Sequence, residues 1–261
     1  MRCTNSSRYF TSDRDGCDGV IDDTRSEIRK LQPGMARAFA AVAWTCVAFV
    51  ALTFAAMLVY PGGRVGDRGS MGYSFFVNFF SDLGETVTHS KQDNLASLVL
   101  FALAMSATAA GISTFFYTFV LLFEEHILAR RVATVGAVAA GVTSLCFIGV
   151  ALAPWNLYRG VHLTFVIWGF RAYLIAAVCA IVAVLASAPF PRRFAVAFAP
   201  LTVLLACNGA LLIFGPPPTT TDGAIVQATA QKIVVYASVA TMFVQSLLAR
   251  RYVRIRPSAA P

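Results

Sequence analysis

Leu95–Phe123 reads LASLVLFALAMSATAAGISTFFYTFVLLF and contains no charged side chain. A helix needs about 20 apolar residues to cross roughly 30 Å of hydrocarbon. The run is therefore long enough for one membrane span, and it is too apolar for the surface of a soluble protein. It predicts a transmembrane helix and sets the class of fold for the whole chain.

Five further apolar runs predict the other spans. Hydrophobic residues make up 57% of the chain and charged residues 13%, and the mean hydropathy is +0.68. Average soluble domains are about 25% charged, so lipid must surround much of this protein. The sequence predicts an all-α membrane protein, a six-transmembrane-helix bundle over residues 35–251. The five runs are Ala36–Tyr60, Val132–Ala153, His162–Ala188, Phe194–Gly215 and Lys232–Ala249.

Polar segments flank the predicted bundle. Residues 1–34 lack the apolar centre of a signal peptide, so they predict a disordered cytoplasmic tail. Residues 252–261 predict a second, short cytoplasmic tail. Met35 directly precedes the first span, so both Met1 and Met35 stay open as the natural start.

Basic residues determine the predicted orientation, because arginine and lysine favour the cytoplasmic side of short loops. With both termini inside, the cytoplasmic segments hold 15 of the 21 basic residues. The net charge of +8 then reflects topology and contact with anionic head groups. No aromatic-interleaved basic stripe supports nucleic-acid binding. We expect a multi-pass plasma membrane protein with cytoplasmic termini and membrane lipids as partners.

A short apolar segment, Tyr73–Leu83 (YSFFVNFFSDL), does not fit the six spans. Eight residues of helix cover only about 12 Å, so it predicts a re-entrant or interfacial element between helices 1 and 2. Two compatible interpretations apply to its polar end. Ser81 and Asp82, with Asn78 close by, form the floor of an outward-facing pocket that binds a ligand. Alternatively, Ser81 or Asp82 caps a short helix with a side-chain oxygen.

Arg171 is expected near mid-membrane, nine residues after His162. A charge at that depth costs about 2.5–3.5 kcal/mol on insertion scales, and a partner must offset this cost. We predict that Arg171 pairs with Asp82 and clamps the short segment against helix 4. In the alternative, the Arg171 side chain snorkels to the outer head groups.

His162 and Lys232 open the fourth and sixth predicted spans at the outer side. His162 is either a proton carrier or ligand, or a hydrogen-bonded interfacial histidine. Nine residues rotate a helix by about 900°, so His162 and Arg171 are expected on opposite faces. Lys232 is placed to meet a lipid phosphate. Only His89 and His126 remain as further histidines, so we expect no three-histidine metal centre, no metal and no cofactor.

Small residues recur at helical spacing in the second and third spans. Ala107 precedes Gly111 by four residues, and Ala137 precedes Gly141 by four residues. Small faces of this kind let helices approach closely in a membrane. They predict close packing of helices 2 and 3 and, beyond it, a possible homo-oligomer through these faces.

The stretch from Asn78 to Gly84, NFFSDLG, resembles the N-x-x-S-D-L-G signature of a polytopic membrane family labelled a domain of unknown function. That family is similar to the superfamily of the autophagy modulator DRAM and the Frag and Sfk proteins. The resemblance covers about residues 36 to 250 and implies a six-helix protein. Some relatives are tied to lipid handling or membrane organisation, and no catalytic residue is implied. Further matching residues are Thr86, Asn94, Ser97, Phe147–Gly149, Ala153-Pro154, Asn156-Leu157, His162 and Gln227–Tyr236.

Three classes of function follow from the sequence. The first is a lipid-associated or lipid-sensing protein that binds a head group near Asp82, Arg171 and Lys232. The second is an intramembrane lipid-modifying enzyme that uses Ser81 or Asp82 together with His162. The third is a small-solute transporter, which is disfavoured by the absence of a sequence repeat and by the scarcity of ionisable residues in the spans.

Overall fold

The computed structural model describes residues 12–123, 125–188 and 190–255 of the 261-residue chain. Six of the helices in this part are long and apolar enough to cross a membrane. The predicted all-α six-helix bundle is confirmed, and the chain has the architecture of a multi-pass membrane protein. The helices are α1 (Ser12–Val59), α2 (Leu95–Val120), α3 (Ile127–Leu152), α4 (Trp155–Leu185), α5 (Arg193–Phe214) and α6 (Thr221–Ile255).

Two helices begin earlier than their apolar runs predict. α4 begins at Trp155, with non-helical dihedral angles at Tyr158 (φ −127°, ψ 48°), and α6 begins at Thr221. Their first turns are polar, so hydropathy does not detect them. As a result His162 and Lys232 lie inside helices rather than at helix ends. Lys232 lies eleven residues into α6, about 16 Å along its axis.

Helix α1 also extends beyond its predicted span. Its backbone is helical from Ser12, which includes residues 12–34, for which the sequence predicts a disordered tail. Helix α6 continues to Ile255. Residues 1–11 and 256–261 lie outside the described part of the chain. The two tails and the choice between Met1 and Met35 therefore stay predictions.

The helices pack in a ring in which each contacts its neighbours in chain order and α6 returns to α1. Large apolar side chains also cover the outside of this ring. Leu145, Val196 and Phe214 are 69%, 70% and 84% exposed. Water tolerates scattered apolar residues but not a surface covered by them, so this exterior is suited to lipid.

The small residues of α2 and α3 serve contacts within the chain. A Cβ atom at Gly111 would overlap the side chain of Thr45, so Gly111 permits close approach of α1 to α2. A Cβ atom at Gly141 would meet the hydroxyl of Tyr117, which belongs to α2. Gly141 thus lies at the predicted α2–α3 contact, whereas Gly111 does not. The homo-oligomer stays a prediction.

Residues 60–94 join α1 to α2, and we call them the cap. They contain an antiparallel hairpin of β1 (Gly62–Arg64) and β2 (Asp67–Met71), followed by a 3₁₀ helix at Phe80–Gly84. The 3₁₀ helix contacts α2, α4 and α6, so the cap lies across one end of the bundle, which we call the cap side. The sequence did not predict the hairpin, because its strands are short and largely polar.

Candidate functional site

Asp82 is the centre of a buried polar network in the cap. It is 3% exposed, and its Oδ2 accepts hydrogen bonds from the backbone N–H of Phe79 at 3.0 Å and from Asn78 Nδ2 at 2.9 Å. The first bond caps the 3₁₀ helix, as one of the two predicted interpretations required. His89 Nε2 lies 3.7 Å from the same oxygen.

Asn78 connects the 3₁₀ helix to the rest of the cap. Besides its bond to Asp82, Nδ2 donates to the carbonyl of Gly63 at 3.0 Å, while Oδ1 accepts from the backbone N–H of Ser74 at 2.9 Å. Its backbone carbonyl accepts hydrogen bonds from Tyr73 Oη at 3.1 Å and from Lys232 Nζ. Both polar atoms of the Asn78 side chain are thus bonded within the protein, which indicates a structural role.

Lys232 reaches the cap from α6 and is 2% exposed. Its ammonium donates to the carbonyl of Asn78 and lies 5.3–5.6 Å from the ring centroids of Tyr73, Phe75 and Phe80. A cation within about 6 Å of an aromatic face is attracted by it. The aromatic run of the cap therefore surrounds a buried lysine, and Lys232 is not placed to meet a lipid phosphate at the surface.

Further bonds attach the cap to α2 and α4. Asn94 Nδ2 donates to the carbonyls of Leu83 at 3.1 Å and Glu85 at 2.9 Å. Asn156, in the first turn of α4, makes two hydrogen bonds with Thr86. Its Oδ1 accepts from the backbone N–H of Thr86 at 3.2 Å, and its Nδ2 donates to the hydroxyl oxygen of Thr86 at 2.9 Å. The 3₁₀ helix is consequently held from both sides, which orients Asp82 and Glu85.

Glu85 and His89 complete a cluster with Asp82. Glu85 is 3% exposed, and its burial, together with the charge of Asp82, raises the pKa of its carboxyl to about 8. The interaction with the Asp82 carboxylate raises the pKa of His89. One potential ligand atom from each of the three residues lies within 4.8 Å of the others. Sequence reasoning missed this grouping, although the spacing Asp82-x-x-Glu85-x-x-x-His89 was available as a signal.

His162 faces the interior of the bundle and is 2% exposed. Its Nδ1 lies 2.7 Å from the carbonyl of Ala153, and the ring packs edge-on against Trp155. Its Nε2 is buried and has no hydrogen-bond partner among the described residues. One ring nitrogen is therefore used for structure, as an interfacial histidine would use it, and the other remains available.

Arg171 does not form the predicted pair with Asp82. Its side chain is exposed on the outside of α4, and its guanidinium lies 5.4 Å from the ring centroid of Trp168. Asp82 is paired with His89 instead. Arg171 and His162 lie on opposite faces of α4, as their spacing predicts. That same geometry prevents the predicted pair, because the cap packs against the His162 side of the helix.

A cavity runs through the bundle from the 3₁₀ helix inward. About 90 Å³ of it is wide enough to admit a water molecule, within about 870 Å³ of atom-free space that includes the part open to the surroundings. Its walls come from α1, α2, α3, α4 and α6 and are mostly apolar. On α4 the lining residues follow helical spacing: His162, Val166, Phe170 and Tyr173. Ser81 and Gln231 line it as well, and no Asp, Glu, Lys or Arg occurs among its lining residues.

Two buried polar atoms on lining residues, Thr108 Oγ1 and His162 Nε2, have no hydrogen-bond partner among the described residues, and a third, Tyr173 Oη, has only a weak interaction with the hydroxyl of Ser238. Burying such an atom without a partner costs about 1–3 kcal/mol. The sequence offered no signal for Thr108 or Tyr173, because hydroxyl groups in membrane helices commonly bond to their own backbone. The three atoms belong to α2 and α4, so only the tertiary packing brings them to one void.

The structure thus separates the predicted site residues into three groups. Asn78, Asp82 and Lys232 form the bonded network of the cap. Ser81 and His162 line the cavity, and Arg171 lies outside both. Comparison with protein-family models, with curated proteins and with solved structures finds no match. The resemblance to the N-x-x-S-D-L-G family therefore stays a prediction.

Proposed function

We propose that the protein binds an amphipathic lipid inside the bundle, with the polar end of the lipid toward the cap. The observation that carries the proposal is the set of buried polar atoms from Thr108, His162 and Tyr173, which are unpartnered or weakly partnered in a mostly apolar cavity. Ligand sites are typically apolar concavities with a few polar groups that orient the ligand. An amphiphile supplies both the apolar surface and the hydrogen-bond partners that this cavity requires.

The chemistry of the lining favours a lipid with an uncharged, hydrogen-bonding head. Ser81, His162 and Gln231 supply hydroxyl, imidazole and amide groups near the cap. Phosphate recognition commonly uses arginine or lysine, and the lining contains neither. We therefore propose a hydroxyl- or carbonyl-bearing lipid rather than the phosphate-bearing head group for which the sequence suggested Arg171 and Lys232.

The orientation belongs to the same proposal. The predicted cytoplasmic segments carry most of the basic residues, and the cap lies on the opposite side. We propose that the termini are cytoplasmic, that the cap faces outward and that the protein resides in the plasma membrane. The lipid would then enter the cavity from the outer leaflet, or its head group would lie at the depth of the outer leaflet. Protease accessibility of the cap, or thiol labelling of a cysteine introduced there, tests this orientation in intact cells.

The lipid proposal is tested by narrowing the cavity. Val166 lies one helical turn beyond His162 and lines the void, so Val166→Phe fills space that a lipid would occupy. Val196→Phe is the matched control, because Val196 is 70% exposed on α5. Each purified protein is extracted and its co-purified lipid is identified and quantified by mass spectrometry. We expect one enriched lipid class with wild type and Val196→Phe, and its loss with Val166→Phe. Equal lipid content in all three proteins would contradict the proposal.

One observation favours an intramembrane lipid-modifying enzyme as the second candidate: Ser81 and His162 line the same cavity. A serine hydroxyl needs a base within hydrogen-bond reach to become a nucleophile, and His162 Nε2 is the free nitrogen. Hydrolysis of a fluorogenic lipid ester in liposomes, abolished by Ser81→Ala and retained by Ser90→Ala, would support the enzyme. Binding without turnover would support the lipid-binding protein.

A further inference from the structure

We infer that Asp82, Glu85 and His89 form a binding site for a divalent transition-metal ion, with Zn²⁺ as the ion that best fits the ligands. This site lies in the cap. The inference does not depend on lipid binding, because none of the three residues lines the cavity. It also departs from the sequence analysis, which expected no metal.

The geometry is close to that of a coordinated ion. The three potential ligand atoms lie within 4.8 Å of one another, and Asp82 Oδ2 is 3.7 Å from His89 Nε2. Zinc binds nitrogen and carboxylate oxygen at about 2.0–2.2 Å, which places ligand atoms about 3.5 Å apart in a tetrahedron. Small side-chain rotations of Glu85 and His89 therefore bring the group to coordination distance.

Glu85 is the independent sign that a cation is needed. Glu85 is 3% exposed, and its carboxylate lies beside that of Asp82. A carboxylate placed next to another carboxylate in a buried position must take up a proton or a cation. A divalent ion shared with Asp82 and His89 meets this requirement for both acids.

The backbone around the cluster is already fixed. The N–H of Glu85 donates to the carbonyl of Asp82 at 3.2 Å, and Asn94 Nδ2 holds the Glu85 carbonyl at 2.9 Å. The Asp82 carboxylate is itself oriented by Asn78 at 2.9 Å. Hydrogen bonds of this kind to ligating carboxylates tune metal sites and keep their ligands in place. The Asp82 carboxylate is thus preorganised before an ion arrives, and Glu85 is fixed through its backbone.

Access and coordination number suggest an open site. The His89 side chain is 28% exposed, so an ion can reach the cluster from the cap surface. Three protein ligands leave a fourth tetrahedral position for water or for a ligand atom. The positive charges of Lys232, Lys91 and Arg68 act on Asp82, Glu85 and His89, respectively, and oppose cation binding. The affinity should therefore be lower than that of a structural zinc site with four protein ligands.

The mixed ligand set selects among ions. Imidazole suits zinc and its first-row neighbours, whereas magnesium and calcium take six or more oxygen ligands. One histidine and two carboxylates provide too few oxygens for calcium. Zn²⁺ should therefore bind more tightly than Mg²⁺ or Ca²⁺, and Co²⁺ should replace it as a spectroscopic probe.

The test uses the full chain, purified through a histidine-free affinity tag and stripped with a chelator. Equilibrium dialysis against Zn²⁺ should leave one ion per chain in the wild type. Glu85→Gln and His89→Ala should each weaken binding at least about tenfold, since even outer-shell changes cost 10- to 100-fold. Asp67→Asn and His126→Ala are the matched controls, an exposed cap acid and a histidine outside the cluster, and should leave binding unchanged.

A second readout uses only the wild-type protein, so the misfolding of a variant cannot affect it. Co²⁺ should give the visible absorption of a site with nitrogen and oxygen ligands, and Zn²⁺ should remove that absorption. Absence of both zinc retention and the cobalt spectrum would overturn the site. So would zinc binding that is equal, within about twofold, in Glu85→Gln, His89→Ala and the two controls.

Discussion

The cap and the cavity differ in whether their buried polar atoms have hydrogen-bond partners. In the cap, Asn78 uses both polar atoms of its side chain, and Tyr73 donates its hydroxyl to the carbonyls of Phe79 at 2.9 Å and Asn78 at 3.1 Å. In the cavity, the hydroxyl of Thr108 and Nε2 of His162 are buried without a partner among the described residues. Satisfied atoms stabilise a fold, whereas unsatisfied atoms are available to a ligand. The comparison assigns structure to most of the cap and ligand binding to the cavity.

The largest expected effect is the loss of Asn78. Asn78→Ala removes three hydrogen bonds, leaves the N–H of Ser74 unpaired and leaves the carbonyl of Gly63 with only the longer bond from Tyr60 Oη at 3.4 Å. We expect the free energy of unfolding to fall by about 3 kcal/mol. Unfolding in mixed micelles measures it. Asn156→Ala is the matched control, because its bonds to Thr86 are exposed, and it should cost less than about 1 kcal/mol.

Lys232→Met should have the next largest effect. The substitution keeps the apolar stem and removes the ammonium that bonds to Asn78 and lies over three aromatic rings. We expect a loss of about 2 kcal/mol, measured by the same unfolding experiment. A stability equal to that of the wild type would show that the lysine is not part of the structural network.

One tyrosine-to-phenylalanine substitution in each region tests the comparison most sharply. Tyr73→Phe deletes a bonded hydroxyl of the cap and should lower the free energy of unfolding by about 1.5 kcal/mol. Tyr173→Phe deletes a cavity hydroxyl that has only a weak interaction with Ser238 and should change the free energy of unfolding of the delipidated protein by less than about 0.5 kcal/mol. Equal losses would remove the distinction between the two regions.

Arg171→Met should have the smallest effect. Arg171 is exposed to lipid and contacts the ring of Trp168, with no ion pair among the described residues. We expect a change below about 0.5 kcal/mol, measured beside Lys232→Met as the same substitution type at a buried position. A loss of stability as large as that caused by Lys232→Met would indicate that the arginine is buried and paired.

The six helices could be predicted from sequence because each apolar run exceeds the length that a bilayer requires. The starts of α4 and α6 could not be predicted, because each apolar run begins several residues after the helix does. This error placed Lys232 at a surface that it does not reach. Asp82 was recognised as important from its local setting, but its partner was chosen by charge alone.

The cavity was beyond sequence reasoning for a different reason. Its walls combine residues from five helices, and no single apolar run in the sequence indicates that a space lies between these helices. In the sequence, His89 is only one of three histidines and Glu85 only one of 13 acidic residues. Their grouping with Asp82 depends on the turn that follows the 3₁₀ helix, which residue spacing alone did not specify.

The central claim is that the unpaired atoms of the cavity serve a lipid. An experimental density map of the wild-type protein in lipid nanodiscs tests it most directly. We predict one elongated density between α1, α2 and α4, with its polar end within hydrogen-bond distance of His162 Nε2. Separate, water-sized peaks at Thr108, His162 and Tyr173, or closure of the void by side chains, would contradict the claim.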